Sequence, residues 1–297
     1  MLSTPQVFCF GETLWDLLPS GKIAGGAPMN VAFQLNQLHV ATGMISRIGQ
    51  DDLGDALLAF LKDKNVPTQW VQSDFIYPTG TVKVEFNAQR QPQYEIVENV
   101  AWDFITLEPD AFEAVGAAKV LVFGSLAARS AGAKQTLMHL IDHAETCVFD
   151  VNLRKPFFSP SLLEELLAKA QIVKMNDEEL DIIAAWQGIE GDQPTKMQAL
   201  CNTFQFNLCI VTRGENGALC LSPKGFDTHP GYKVTVQDTI GSGDAFLAGF
   251  LARYLQGADP VDCLAFACKM GAYVATKRGG TPELNQEIIA NLLPSNN

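Results

Sequence analysis

Asp238-Thr-Ile-Gly-Ser-Gly-Asp-Ala-Phe-Leu-Ala-Gly-Phe250 carries more information than any other stretch of this 297-residue chain. A short polar segment with two glycines runs directly into an apolar helical pattern, and one acid, Asp244, stands at the joint. Gly241, Ser242 and Gly243 can turn their backbone N–H groups toward one point. With the positive end of the helix that follows, those groups form an anion site. A carboxylate beside such a site can take a proton from an attacking hydroxyl while the amides hold a phosphoryl group. Read plainly, the same residues are a glycine turn and a helix cap, so the rest of the chain has to decide.

Around this segment, apolar strands alternate with amphipathic helices. Val120–Phe123, Cys147–Phe149, Ile172–Met175 and Leu208–Val211 read as strands. Helices expected at 131–144, 160–169, 177–186 and 195–204 separate them. Two more helices close the chain, at 244–256 and 260–277, the second with Asp259 as N-cap and Pro260 at its first position. Toward the N-terminus the pattern gives a strand at Val7–Phe10, a helix at Asn30–Leu38, a strand at 42–48 and a helix at 52–64. Alternating strands and helices predict an α/β fold, a doubly wound, mostly parallel sheet with helices on both faces. Residues 78–97 differ: Val82, Val84 and Phe86 alternate with polar residues, and Gln89–Pro92 forms a polar turn before a second extended piece. The expectation is one domain over 1–297 with small β-lid segments near 12–24 and 78–103.

Composition supplies enough apolar residues for one large α/β domain with an appendage, or for two modest domains. The chain is 47% hydrophobic with a net charge of −12, and it holds no basic cluster, so nucleic acid and anionic membranes are poor partners. Seven cysteines lie scattered, most of them in apolar runs and none at zinc-ligand spacing, which predicts reduced thiols and a cytoplasmic location. No basic-then-apolar leader opens the sequence, and no uncharged run reaches the ~20 residues that span a bilayer.

The segment Asp238–Phe246 resembles the C-terminal signature of the ribokinase-like sugar kinases, the PfkB family. Gly25-Gly-Ala-Pro-Met-Asn-Val-Ala32 resembles that family's N-terminal signature, about 210 residues earlier and in the expected order. The resemblance implies ATP-dependent phosphorylation of a sugar hydroxyl, with Asp244 as general base beside the Gly241, Ser242 and Gly243 anion hole. Gly11-Glu-Thr-Leu-Trp-Asp16 follows the first strand, where ligands sit in open α/β sheets. Similarity to the family makes Asp16, Gly25, Gly26 and Asn30 sugar ligands, while Trp15 is expected to pack. Trp102 and Arg129 lie in segments similar to bacterial fructokinases, each with a structural role as the open alternative.

The phosphate side is read the same way. Asp150-Val-Asn-Leu-Arg154 resembles the family's Asp-x-Asn-x-Arg segment, which places Asn152 at the sugar and Arg154 at the transferring phosphate. Asn176-Asp-Glu-Glu179 fits the family's Asn-x-x-Glu motif, implying a role for Glu179 in holding Mg²⁺ through water and for Asn176 near the nucleotide; a plain acidic helix start is the alternative. Thr212, Gly214 and Gly217 resemble the family's nucleotide loop, together with Gly243. The resemblance also implies a monovalent cation, with K⁺ as one candidate, held by carbonyls near Asp238, Ile240, Val274, Lys277 and Gly279, while Lys277 and Glu283 depart from relatives and leave the ion's identity open. In this family such a lid closes over the sugar and often builds a homodimer, so the resemblance implies a homodimer through the β lid here. Fructose is the first choice of substrate, because Gly11–Pro19, Glu98–Asp103 and Gly124–Arg129 are similar to bacterial fructokinases, and the few basic residues in the first hundred positions favour a neutral sugar. Ribose, 2-keto-3-deoxygluconate, tagatose 6-phosphate or a nucleoside stay open, as does a catalytically idle sugar-binding regulator. A Rossmann oxidoreductase is disfavoured, since no Gly-x-Gly-x-x-Gly follows the first strand.

Overall fold

The structure is a computed structural model that describes residues 4–19, 21–86 and 92–292. The polar turn expected at 89–92 lies, Pro92 apart, outside the described residues. The first half contains β1 (Val7–Phe10), β2 (Leu14–Leu18), β3 (Gly21–Gly25), α1 (Ala27–Gln37), β4 (Thr42–Gly49), α2 (Asp52–Asp63), β5 (Val71–Asp74), β6 (Gly80–Phe86), β7 (Pro92–Ile96) and α3 (Pro109–Ala117). The second half continues with β8 (Val120–Gly124), α4 (Ala131–Ile141), β9 (Cys147–Asp150), α5 (Pro160–Leu167), β10 (Ile172–Asn176), α6 (Asp177–Trp186) and α7 (Gln193–Phe204). It closes with β11 (Leu208–Thr212), β12 (Ala218–Ser222), β13 (Gly225–His229), α8 (Ser242–Tyr254), α9 (Pro260–Ala275) and α10 (Gln286–Leu292).

Nine strands form one sheet in the order β13-β12-β11-β10-β9-β8-β1-β4-β5. All neighbours from β11 to β5 pair in parallel, and only β12 and β13 add an antiparallel edge. Both faces are covered. Phe8 and Phe10 of β1 join one core with Leu137 of α4, Leu163 of α5 and Met197 of α7. Val7 and Cys9 of the same strand point the other way, into a core with Val31 of α1, Leu57 of α2, Leu247 of α8 and Leu264 of α9. Burial on both faces is why the central strands read as unbroken apolar runs.

The chain winds outward from β1 in two directions, to β4 and to β8, so the C-terminal ends of β1 and β8 flank the switch point where open α/β sheets bind ligands. A separate four-stranded sheet, β3-β2-β6-β7, is hung on the loop after β1. Its β2 pairs in parallel with β6, with Asp16 opposite Val82, so the segments expected near 12–24 and 78–103 form one unit. The α9 helix departs from its expected capping: the Asp259 side chain pairs with Lys224 and gives no cap to the helix. Lysine at that short range competes for the same oxygens as the helix amides.

Candidate active site

Glycine geometry builds the floor. After β1 the chain passes Gly11 into the buried Glu12 and Thr13. Glu12 Oε1 accepts from the Ala27 N–H at 3.2 Å and so caps the start of α1. Gly26 precedes that helix at φ 118°, and a Cβ there would fall 2.3 Å from the Glu12 carbonyl oxygen. Only glycine fits. The α1 helix then presents Asn30, whose Nδ2 donates to Asp244 Oδ2 at 2.7 Å. The two signature segments therefore meet at their functional side chains.

Asp244 sits in the first turn of α8. Gly241 precedes that helix with φ 74°, and a Cβ on it would lie 2.3 Å from the Gly280 Cα. The Ser242 N–H donates to the Thr239 carbonyl at 3.2 Å, which closes the turn and occupies that amide. Gly243 and Asp244 follow in the first helical turn, whose N–H groups have no acceptor within a helix; such amides are the kind of group that can receive an anion. The Asp244 carboxyl is shifted upward, chiefly by burial; the Asn30 hydrogen bond and the charges of Lys174 and Arg154 oppose the shift. A carboxylate held in this way is a better proton acceptor than an exposed one.

The loop after β9 supplies the phosphate side. Asn152 adopts a positive φ of 39°, and its carbonyl accepts from Ser125 Oγ at 3.3 Å. Arg154 is exposed at the mouth, close enough for its charge to act on Glu12, Asp16 and Asp244. Glu179 is buried and doubly engaged. Its Oε2 accepts from Asn176 N and its Oε1 from Leu153 N, both at 2.8 Å, while Asn176 Oδ1 accepts from Glu179 N at 2.8 Å. This capping box starts α6 and also pins the loop that carries Arg154.

On the sugar side, Asp16 of β2 lies over Gly25, where a Cβ would come within 2.7 Å of its Oδ2. Burial pushes the Asp16 carboxyl up to about 6, with Arg154 opposing and Asp238 adding to the rise. Trp15 packs as expected, donating Nε1 to the Leu53 carbonyl at 2.9 Å. Trp102 and Arg129 are buried against each other, the guanidinium 3.9 Å from the indole and 4.7 Å from the Phe157 ring. Arg129 donates Nε and Nη2 to Asp103 at 2.6 and 2.7 Å. Its Nη1 and the Trp102 Nε1 are buried without a hydrogen-bond partner among the described residues.

The expected nucleotide residues gather at neighbouring strand ends, Asn176 of β10 lying opposite Thr212 of β11. Thr212 Oγ1 donates to the Met175 carbonyl at 3.5 Å. Gly214 has open space where a side chain would project, whereas Gly217 packs against the backbone of His229 to Gly231. The expected cation segment is closed by Asp238, whose Oδ1 accepts from Ile240 N and Oδ2 from Gly279 N, both at 3.0 Å. The Val274 carbonyl takes the Lys277 N–H at 2.9 Å. These bonds bring both ends of the set together and spend the Val274 carbonyl, one of the expected cation ligands, on the chain itself. Among the described residues no group of three or more His, Cys, Asp or Glu could cage a metal. Mg²⁺ keeps several waters and needs few protein ligands, so this donor set is compatible with it, and Glu179, whose oxygens already accept from Leu153 N and Asn176 N, would reach it only through water.

Three contributors were not anticipated from sequence. Glu12, pushed up to about 7 mainly by burial and also by Asp244, is the acid that caps α1. Gly280 fits beneath both Gly241 and Asn30. Lys174 lies buried in β10, with Nζ 3.0 and 3.1 Å from the two oxygens of Asp150. A lone lysine in an otherwise apolar strand was the signal for it.

Known proteins place this geometry. The chain is 30% identical over 269 residues to a sugar kinase of Pyrococcus horikoshii, covering 87% of this chain and 82% of that one. Its fold superposes on fructokinase from Xylella fastidiosa with bound ATP at a TM-score of 0.85, 25% identity and coverage of 96% and 97%. Fructokinase from Vibrio cholerae in its fructose, ADP and calcium ion bound form gives 0.82 at 25% identity, covering 98% and 100%. The pattern of the pfkB family carbohydrate kinases matches residues 18–287, and with the two signatures joined at Asn30 and Asp244 this chain belongs to that family.

Proposed function

We propose that this carbohydrate kinase transfers the γ-phosphoryl group of ATP to a primary hydroxyl of fructose, giving fructose 6-phosphate and ADP. The observation that carries the reading is Asp244, held by Asn30 at 2.7 Å in the first turn of a helix whose amides are built to receive an anion. In this reading Asp244 accepts the hydroxyl proton as the sugar oxygen bonds to the γ-phosphorus. The bond from that phosphorus to the β,γ-bridging oxygen breaks, and ADP carries the electron pair away. The first-turn amides of α8 and the Arg154 guanidinium meet the charge on the transferring group. Mg²⁺ supplies charge neutralisation on the nucleotide phosphates when bound. Asp16 and Asn152 bind sugar hydroxyls, and the four-stranded sheet carrying Asp16 is the lid that excludes water.

Support for fructose comes from the two fructokinase relatives and from two unpartnered donors. Arg129 Nη1 and Trp102 Nε1 are neighbouring buried donors that hydroxyl oxygens of a ketose would satisfy. The test is ADP release with Mg-ATP against fructose, ribose, 2-keto-3-deoxygluconate, glucose, tagatose 6-phosphate and adenosine. A lead for fructose supports the full reading. A lead for another sugar keeps the reaction and discards fructose. No turnover with any of them removes the reading in favour of a sugar-binding protein without chemistry.

A further inference from the structure

Lys174 is placed where elementary electrostatics disfavours a cation. It lies in β10, 7% exposed, and a Cβ on Gly243 would come 3.1 Å from its Nζ. The ammonium therefore abuts the first turn of α8, the positive end of that helix, where cations are repelled. Parallel pairing puts Lys174 directly opposite Asp150, and both carboxylate oxygens of Asp150 hold it, at 3.0 and 3.1 Å. A buried ion pair of this kind gives little net stability compared with well-packed apolar residues. A cation kept against a helix N-terminus at that cost makes sense where an anion is to arrive.

We propose that Lys174 is a positioning residue of phosphoryl transfer: its ammonium, clamped by Asp150 beneath the Gly243 turn, adds a fixed positive charge to the anion cradle of α8 and to the Asp244 carboxylate beside it. The purpose of the charge rests on the kinase reading above; its existence and its effect on Asp244 do not. Lys174 is faced by Asp150 from β9, Glu179 from α6 and Asp244 from α8. Asp244 is faced by Asn30 from α1, Lys174 from β10, Asp150 from β9, Arg154 from the loop after β9 and Glu12 from the loop after β1, and Asp150 is asparagine in both variants compared below. Burial pulls the lysine down, but the three carboxylates outweigh it and keep it charged. Its charge in turn opposes the upward shift that burial imposes on Asp244.

The test compares Asp150→Asn with Asp150→Asn/Lys174→Met. In that background the two proteins differ only in the side chain at 174, where Glu179 and Asp244 remain as counter-charges of the lysine, and the double variant leaves no unpaired Asp150 carboxylate to endanger the fold. Relative to Asp150→Asn, the double variant is expected to lose kcat by roughly 10–10²-fold with sugar KM nearly unchanged. Its acidic limb of kcat should move up by about one pH unit, because the active form of Asp244 is ionised and has lost a neighbouring cation. ¹³C-carboxyl NMR reads the same displacement without turnover, with the Asp244 resonance assigned by its loss in Asp244→Asn. An unmoved Asp244 titration overturns the proposal, whatever happens to kcat or to Tm. If the wild-type protein phosphorylates no sugar, the kinase reading falls alone, and the NMR titration still decides the charge relationship.

Discussion

Asn30 and Asp244 are 214 residues apart in the chain and joined by a 2.7 Å hydrogen bond in the fold. The amide donates, so it favours the ionised carboxylate against the burial that raises Asp244. Two helices entering the cleft from different parts of the sequence are thereby registered at the position of the proposed base.

Asp244→Asn should remove the base and keep the shape. The expected loss in kcat is roughly 10²–10⁴-fold with sugar KM within a few-fold of the parent. A coupled ADP assay measures both. Near-parental turnover would remove Asp244 from the mechanism.

Gly241→Ala and Gly257→Ala separate strain from collision. Both positions have nearly the same positive φ, 74° and 76°, yet a Cβ at 241 meets the Gly280 backbone at 2.3 Å while one at 257 meets nothing within 4 Å. Gly257→Ala should cost about 1 kcal/mol and leave activity intact. Gly241→Ala should lower Tm further and abolish most activity by shifting the start of α8. Equal effects in thermal denaturation and assay would show that the Gly280 contact is unimportant.

Glu12 gives a pH signature in stability. Its carboxyl is raised from 4.5 to about 7 in the folded protein, so folding favours the protonated form. The stability this group contributes is complete below about 4.5 and is lost as pH rises through about 7. Glu12→Gln removes that dependence. Its Tm relative to the parent should therefore climb between pH 5 and 8, with roughly 3 kcal/mol as a ceiling. A constant Tm difference across that range would mean that Glu12 is ionised throughout.

Glu179→Ala should damage two functions at once. It leaves the Leu153 and Asn176 N–H groups without their acceptor. The expected cost is about 1–3 kcal/mol in stability. A lower kcat and a higher Mg²⁺ requirement should accompany it, because the loop carrying Arg154 is no longer pinned. Loss of stability with unchanged Mg²⁺ dependence would confine Glu179 to its capping role.

The central strands were legible because β8 to β11 are buried on both faces, so apolar residues fill them apart from Asp150, Lys174 and the strand-end Asn176 and Thr212. The helix expected at 260–277, observed at 260–275, announced itself through Pro260 at its first position, and the one at 177–186 through its apolar period. The edge was less legible. The β13 strand, Gly225-Phe-Asp-Thr-His229, is half exposed and polar, and β5 is a four-residue strand with little periodicity. The α3 helix went unread because it buries only Ala111 and Val115.

The sequence by itself determined the two signature segments, the glycine turn before α8, the acid at its first turn and the alternation that forces a parallel sheet. These are local properties: φ preference, spacing and apolar period reside in consecutive residues. Only the tertiary structure decided which groups share the cleft. Strand order puts β9 beside β10, and parallel register sets Asp150 opposite Lys174. Folding of α1 against α8 brings Asn30 to Asp244, and the loop after α9 sets Gly280 beneath both Asn30 and Gly241. Neighbours across strands and helices follow from how the whole chain buries its apolar faces, and no short stretch of sequence records that outcome.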